Sequence, residues 1–232
     1  EQYFSFVVKT DFTQSHHRFD QCGVVMYLDS ENWLKGSVEY ERINPMFSPT
    51  HNRHYENMPK GWCFAKIKDI FIINPKNKAN DYDMAGFVSM SMINEGYVDS
   101  YQYETREWSS IKAGFTHFQD GDIAVAKISP CLENRKSMIL KGLPNGIGAG
   151  TTELHVFRSS IVDARYALYF FKSDYFIAQC IGTFNGVVGQ QRVGKSVIED
   201  IVFPLPPLEE QRRIACTISV IFKHLDNILS EL

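Results

Sequence analysis

From Trp62 onward the apolar residues fall into short runs rich in β-branched and aromatic side chains, set apart by polar and glycine-bearing stretches. Six such runs, at 64–73, 86–93, 122–128, 137–140, 153–157 and 198–203, have the length and composition of strands. Between the last two the period changes. Asp163 offers a carboxylate to the unpaired N–H groups of a helix over 164–171, and a second helical stretch from Tyr175 stops at Gly182. The first 45 residues are aromatic-rich and poorly patterned, with one strand-like run at 3–8. A stretch broken by proline, asparagine and glycine from Asn44 to Gly61 then reads as a linker, with a boundary near Tyr55.

The C-terminus carries the clearest pattern. Pro206 and Pro207 followed by Glu209 and Glu210 suit a helix start, since proline costs nothing in the first turn and carboxylates favour the positive end of the helix dipole. Ile214, Ile218, Ile221, Leu225, Ile228 and Leu232 then follow at spacings of 4, 3, 4, 3 and 4, a mean period of 3.5. That is the seam of a coiled coil. The alternative is a surface helix packed on its own domain, but Phe222 and Leu229 broaden the stripe and no later element follows to cover it. The expected fold is therefore α+β: a β-rich mixed domain followed by a long C-terminal coiled-coil helix.

Composition narrows the class. With 44% hydrophobic and 13% aromatic residues, 232 residues can bury a real core, as one large domain or two small ones. No run approaches the roughly 18 apolar residues of a membrane helix, and no charged segment precedes an apolar block near the N-terminus. A membrane partner or an export route is not expected. The chain starts at Glu1 rather than methionine, as in a fragment or a renumbered chain. Cys22, Cys63, Cys131, Cys180 and Cys216 are odd in number and never in a C-x-x-C pair, which suits reduced thiols in a cytoplasm. The net charge of −3 argues at first against nucleic acid, because phosphate neutralisation supplies most non-specific affinity. Locally the balance reverses. Residues 112–141 carry five Lys/Arg against three Asp/Glu, and 182–196 carry Arg192 and Lys195 with no acid.

Four stretches resemble one family. Pro204-Leu-Pro-Pro-Leu-Glu-Glu-Gln-Arg-Arg-Ile-Ala215 is similar to the signature that opens the spacer helix of type I restriction-modification specificity subunits. Pro59-Lys-Gly-Trp62, Phe118-Gln-Asp-Gly-Asp-Ile-Ala-Val-Ala-Lys-Ile-Ser-Pro130 and the glycine-rich run ending in Gly189-Gln-Gln-Arg-Val193 resemble the target-recognition domain that precedes it. The resemblance covers roughly 55–232 and leaves 1–45 open. It implies a first segment with linker over 1–55, a DNA target-recognition domain over 56–205 and a spacer or dimerisation helix over 206–232. The work it implies is sequence-specific recognition of double-stranded DNA, without catalysis and without a cofactor. Its partners would be methyltransferase subunits and a restriction and translocation subunit, with the spacer helix paired to a second recognition half or a second copy. A protein-interaction module that docks another protein through the helix is the competing reading.

The residues themselves agree in part. Gly121 permits a tight turn into 122–128, and the polar return after Ser129-Pro130 makes a tip carrying Lys127, Ser129, Asn134, Arg135 and Lys136, donors able to reach phosphates and base edges. A solvated turn is the plain alternative. Three glycines in 146–150, ahead of Thr151 and Thr152, let the backbone approach something closely: a phosphate, or only a tight loop. The run after Gly182 sets Thr183, Asn185, Gln190, Gln191 and Arg192 beside flexible glycines, with Lys195 following; glutamine and arginine make bidentate contacts to adenine and guanine. Alternatively Gln191 and Arg192 brace the loop against the strand near Ile198.

Enzymatic constellations are missing from the pattern. A metal nuclease of the Asp…(Asp/Glu)-x-Lys type needs an acid two residues before Lys127, where Val125 stands. His51 and His54 have ligand-like spacing but no Cys or carboxylate near them in sequence, so no metal is expected. A Cys131 or Cys180 nucleophile with His155 is conceivable, yet nothing in the sequence tunes either thiol. Trp62 and Trp108 read as core rather than base-stacking platforms.

Overall fold

The computed structural model of the chain describes residues 21–27, 33–39, 59, 61–181, 183 and 191–230. The chain divides into two compact units, 1–51 and 52–232. In the first, β1 (Gln21–Tyr27) and β2 (Trp33–Glu39) pair antiparallel with Gln21 opposite Glu39 and Tyr27 opposite Trp33, within the stretch whose pattern assigned no element. The strand-like run at 3–8 lies outside the described residues.

The second unit opens with β3 (Cys63–Lys66), α1 (Ile67–Ile70) and β4 (Ile72–Ile73). There follow β5 (Met84–Val88), β6 (Glu104–Glu107), α2 (Trp108–Ile111), β7 (Thr116–Gln119), β8 (Ile123–Ala126), β9 (Ser137–Ile139), β10 (Ile147–Gly150) and β11 (Leu154–Arg158). It closes with α3 (Ala164–Phe171), α4 (Asp174–Ile181), α5 (Lys195–Asp200), β12 (Val202–Leu205) and α6 (Leu208–Ser230). One four-stranded sheet runs β6-β5-β10-β7, a second runs β4-β11-β8-β9, and β12 pairs with β3. β5 with β10 is parallel; the other described pairs are antiparallel. The mixed α+β class and the long last helix are as the sequence implied. No described helix is long and apolar enough to cross a membrane.

Every residue of β8 is buried, and the strand's two-residue period explains how. Ile123 and Val125 point to one side, where Phe157, Phe171, Phe176 and Phe203 build the main core with α3 and α4. Ala124 points to the other, joining Val156, Leu154 and Met138 against Val88 and Phe118 of the first sheet. The far face of the first sheet is closed by Trp108 and Ile111 of α2 over Ala85, Phe87 and Ala149. The second sheet is thus the middle layer, its strand β8 apolar on both faces rather than alternating with polar residues.

Two expected strands are broken by single helical turns. Within 64–73, Ile67 and Ile70 are both buried three residues apart, which a helical turn satisfies and a strand cannot. Within 198–203, buried Ile198 and Ile201 do the same, so α5 ends at Asp200 and only Val202–Leu205 pairs with β3. The run at 86–93 leaves the strand after Val88 for a 3-10 turn at Met90–Met92.

A buried charge pair between the sheets is fully satisfied. Arg158 donates two hydrogen bonds of 2.7 Å to the carboxylate of Asp122, whose side chain is 1% exposed. It donates a third to Asn77 Oδ1, and Asn77 Nδ2 in turn donates to Phe118 O.

Of the glycines of 146–150, Gly146 ends a 3-10 turn, while Gly148 and Gly150 belong to a strand, β10, and what approaches them is protein. A Cβ on Gly148 would stand 2.4 Å from Gly86 O and 2.4 Å from Phe118 Cε2; on Gly150 it would stand 2.4 Å from Val88 O. Neither backbone oxygen can yield without opening the parallel pairing. Gly148→Ala should therefore cost about 2 kcal/mol or more and lower the melting temperature by about 4–8 °C. Gly194→Ala, whose Cβ meets nothing nearer than 3.8 Å, should leave it within about 2 °C. Equal melting temperatures for the two variants in a thermal scan would contradict the close approach.

Candidate nucleic-acid interface

Three of the segments singled out in the sequence meet at the end of the middle sheet. As the chain leaves β8, the Lys127 N–H donates to Glu153 O and the Lys127 carbonyl accepts from Val193 N–H, both at 2.9 Å. Ile128 bridges to Arg192, and Ser129 N–H donates to Gln191 O at 2.9 Å. Residues 191–193 are thereby strapped alongside 127–129. Thr151 joins from the first sheet: its N–H donates to Val88 O at 3.0 Å, and its Oγ1 accepts from Glu153 N–H at 3.2 Å. Thr152, beside it, is exposed.

At the centre Arg192 grips Glu153. Its Nε donates to Oε2 at 2.8 Å and its Nη2 to Oε1 at 2.9 Å. These bonds hold the Glu153 carboxyl below the usual carboxylate range, and the charge of Lys127 adds to the effect. Beneath them lies His155, 4% exposed, with Nε2–H donating to Val193 O at 3.1 Å and Nδ1 accepting from Asn74 Nδ2 at 3.3 Å. The acid-free run 182–196 thus has a carboxylate after all, supplied by the residue that precedes β11. Sequence distance hid it, because Glu153 stands 39 residues from Arg192.

The tip 129–136 lies next to this centre, its donors bonded to neighbouring groups of the protein. Ser129 Oγ donates to Glu133 Oε1 at 2.5 Å, and the other Glu133 oxygen is buried without a hydrogen-bond partner. Asn134 Nδ2 donates to Glu95 Oε1, while Lys136 Nζ donates to Met90 O and stands 3.7 Å from Glu95 Oε1. Arg135 is drawn to the Lys172 carbonyl and to Asp174. Thr183 ends α4 by donating to Cys180 O through both N–H and Oγ1, and Lys195 starts α5, 3.4 Å from Glu199. Asn185 and Gln190 lie outside the described residues, as do His51 and His54.

Neither thiol is activated. Burial pushes Cys180 up to about 12 and raises Cys131 as well.

On α6 two faces compete for the apolar residues. Gln211, Ala215, Ser219 and Phe222 turn to the domain. Gln211 is 1% exposed, accepts from Asp163 N–H at 2.7 Å and donates to Pro206 O at 2.9 Å. Ser219 Oγ meets Tyr169 Oη at 2.9 Å, and Phe222 stacks on Tyr97 with ring centroids 5.0 Å apart. Of the heptad residues, Ile214 packs on the core and Ile218 and Ile221 are half-buried, whereas Leu225 is 47% and Ile228 39% exposed. Leu232 lies outside the described residues. Sequence reading missed the Gln211 anchor; its one trace was a neutral side chain between two acidic and two basic residues in the first turns of the helix.

Residues 59–232 match the type I restriction modification DNA specificity domain, over more than half of the chain. The chain belongs to this family. Residues 1–55 match a second family, described as a protein of unknown function (DUF1349). Among relatives of the specificity-domain family, the type I restriction enzyme EcoAI specificity subunit of Escherichia coli is 40% identical over 183 residues, covering 78% of this chain and 31% of the relative. The EcoEI specificity subunit of Escherichia coli is 40% identical over 188 residues, covering 80% and 31%. The chain therefore spans under a third of these relatives' length. In fold it is similar to the HsdS subunit of Thermoanaerobacter tengcongensis, with a TM-score of 0.62 at 17% identity over 75% of this chain and 45% of that one. A structure described for complex assembly and conformational transition of the type I R-M system gives 0.61 at 19% identity, over the same shares.

Titration of His155 gives this member of the specificity-domain family a pH-dependent strap. Burial lowers the imidazole from 6.5 to about 4. As pH falls through 6.5 the unfolded chain takes up the proton and the folded one refuses it. Stability is therefore complete above about pH 6.5 and falls by up to about 3 kcal/mol on the way to pH 4. Urea unfolding at pH 7 and pH 4.5 should show this loss in the parent and a visibly smaller one in His155→Gln. Equal losses would assign the titration to other groups.

Proposed function

We propose that residues 56–205 form a DNA target-recognition domain that reads a short sequence in double-stranded DNA and has no catalysis of its own. In this reading the chain acts in the cytoplasm as a specificity subunit or half-subunit, directing methyltransferase and restriction subunits to their site. The observation that carries it is the convergence of Lys127, Ser129, Thr151, Thr152, Gln191 and Arg192 at one end of the middle sheet, strapped by backbone hydrogen bonds. Recognition of base edges needs donors held in a fixed plane. The bidentate grip of Glu153 fixes the plane of the Arg192 guanidinium, and the strap fixes the position of Gln191. Lys127, half-exposed beside this pair, supplies charge for a phosphate. The 40% identity to two specificity subunits supports the same reading. Asn134, Lys136, Thr183, Asn185, Gln190 and Lys195 are placed with the contact surface in this proposal.

The test separates the two roles. With the chain purified alongside its methyltransferase subunit, sequencing of methylated sites defines the target. Arg192→Ala should then cost about 1–3 kcal/mol of affinity at that target and little on random duplex. Lys127→Ala should weaken both alike and reduce the salt slope by about 1. Loss of duplex affinity by neither variant, or no duplex affinity at all at low salt with the partner present, would favour the protein-interaction module.

Residues 206–232 are proposed to pair as a coiled coil with an equivalent helix, in a second recognition half or a second copy. Support comes from Leu225 and Ile228, which stay exposed on the heptad seam while the other face of α6 docks on the domain. Placing Asp at both positions puts charge into an apolar interface, which is costly unless it is paired. Light scattering should show the self-associated mass fall to that of the monomer, and a mass that stays above the monomer would put the contact elsewhere.

A further inference from the structure

We infer that Arg135, with Lys172 and Tyr97, is a brace that sets the direction in which α6 leaves the domain, making Arg135 a positioning residue rather than a DNA contact. The inference rests on the proposed reading only in giving that direction a purpose, the separation between two recognition halves.

The tip 129–136 and the loop between Ile93 and Tyr101 are tied together twice directly and once through Lys172, which follows α3. Gly96 N–H donates to Asn134 O at 2.9 Å, Asn134 Nδ2 donates to Glu95 Oε1 at 3.2 Å, and Lys172 Nζ donates to Gly96 O at 2.8 Å. Lys172 is 0% exposed, and a buried ammonium is tolerated only where its protons are taken up. Its second acceptor is Arg135 O at 2.9 Å, and Arg135 Nε returns a bond to Lys172 O at 3.0 Å. Burial pulls Lys172 down to about 8. Arg135 itself sits at φ 59°, a left-handed conformation that costs a non-glycine residue roughly 1 kcal/mol and persists only where the surroundings over-determine it.

The side chain of Arg135 leads from this knot to the helix. Its guanidinium bonds Asp174 at the start of α4 and the Glu133 carbonyl, and its carbon lies 4.9 Å from the centroid of Tyr97. The ring of Tyr97 stacks on Phe222 at an interplanar angle of 27°. Phe222 is the last described side chain of α6 that is partly buried against the domain; Leu225 and Ile228 beyond it are exposed. Each residue past that point lengthens the unsupported arm by about 1.5 Å, so a tilt at Phe222 is amplified towards the seam. A guanidinium with its donors committed to protein groups in this way is a strut, and a lysine could not replace it, lacking the planar fork and the stacking face.

The test is the width of a distance distribution. Spin labels attached through p-acetylphenylalanine at Arg165 on α3 and Asn227 on α6 leave the cysteines untouched, and pulsed dipolar spectroscopy on the full chain without DNA reports how firmly α6 is held. Tyr97→Ala and Arg135→Lys should each broaden the distribution roughly twofold, as expected on loss of local packing, and Tyr97→Phe should keep the parental width. A parental width in Tyr97→Ala, a change at a partly exposed ring that the fold tolerates, would overturn the brace whatever the Arg135 variants do. Random-duplex affinity at 50 mM salt should be the same in Arg135→Lys, Arg135→Ala and the parent. Affinity lost in Arg135→Ala but kept in Arg135→Lys, with parental widths in both, would make Arg135 a phosphate contact instead. Failure of the parent to bind duplex would sink the recognition reading and leave the brace to be decided by the widths.

Discussion

Burial of the middle sheet on both faces is the constraint from which the rest follows. β8 and β11 contribute Ile123, Val125 and Phe157 to one core and Ala124, Leu154 and Val156 to another, so neither strand can shift register without expelling one set from its core. A locked register fixes where the strands end. Lys127 is the first residue past β8 and Glu153 the last before β11, and the two lie hydrogen-bonded side by side because the strands are paired Leu154 to Ala126. The proposed contact surface is a consequence of the core beneath it.

The polar groups at this end are arranged to keep the segment 191–193 in place. His155 stands within the strand and offers one nitrogen to Val193 and the other to Asn74, which makes a neutral ring the useful form. Asp122 and Arg158, at the opposite end of β8 and β11, form a paired charge with 1% exposure on the acid side. Unpaired, either would be costly; paired and bonded to Gln119 N–H and Asn77, the two orient the turn between the sheets. Polar specificity here resides in a few satisfied bonds and the stability in aromatic packing, such as Phe157 on Phe171 with centroids 4.4 Å apart.

α6 reconciles two readings of a single heptad pattern. Its first half is a surface helix of its own domain, anchored by Gln211, Ala215, Ser219 and Phe222. Its second half presents Leu225 and Ile228 outward. A stripe broadened by Phe222 can serve both, since the domain takes one flank and leaves the seam beside it.

The sequence by itself determined the mixed class, the helix over 164–171 with its Asp163 cap, the last helix, and the family through its opening signature. Those features are local: a cap, a proline start and a heptad act within a few residues. Tertiary structure alone decided that the glycines of β10 make room for Phe118 and β5, that Ile67 with Ile70 and Ile198 with Ile201 turn expected strands into helical turns, and that Arg192 meets Glu153. It also turned Arg135 from an outward donor into an inward one. In each case the deciding partner lies on another strand or helix, tens of residues away. Spacing along the chain carries no record of which carboxylate, ring or carbonyl a folded core will bring within about 3 Å of a given side chain.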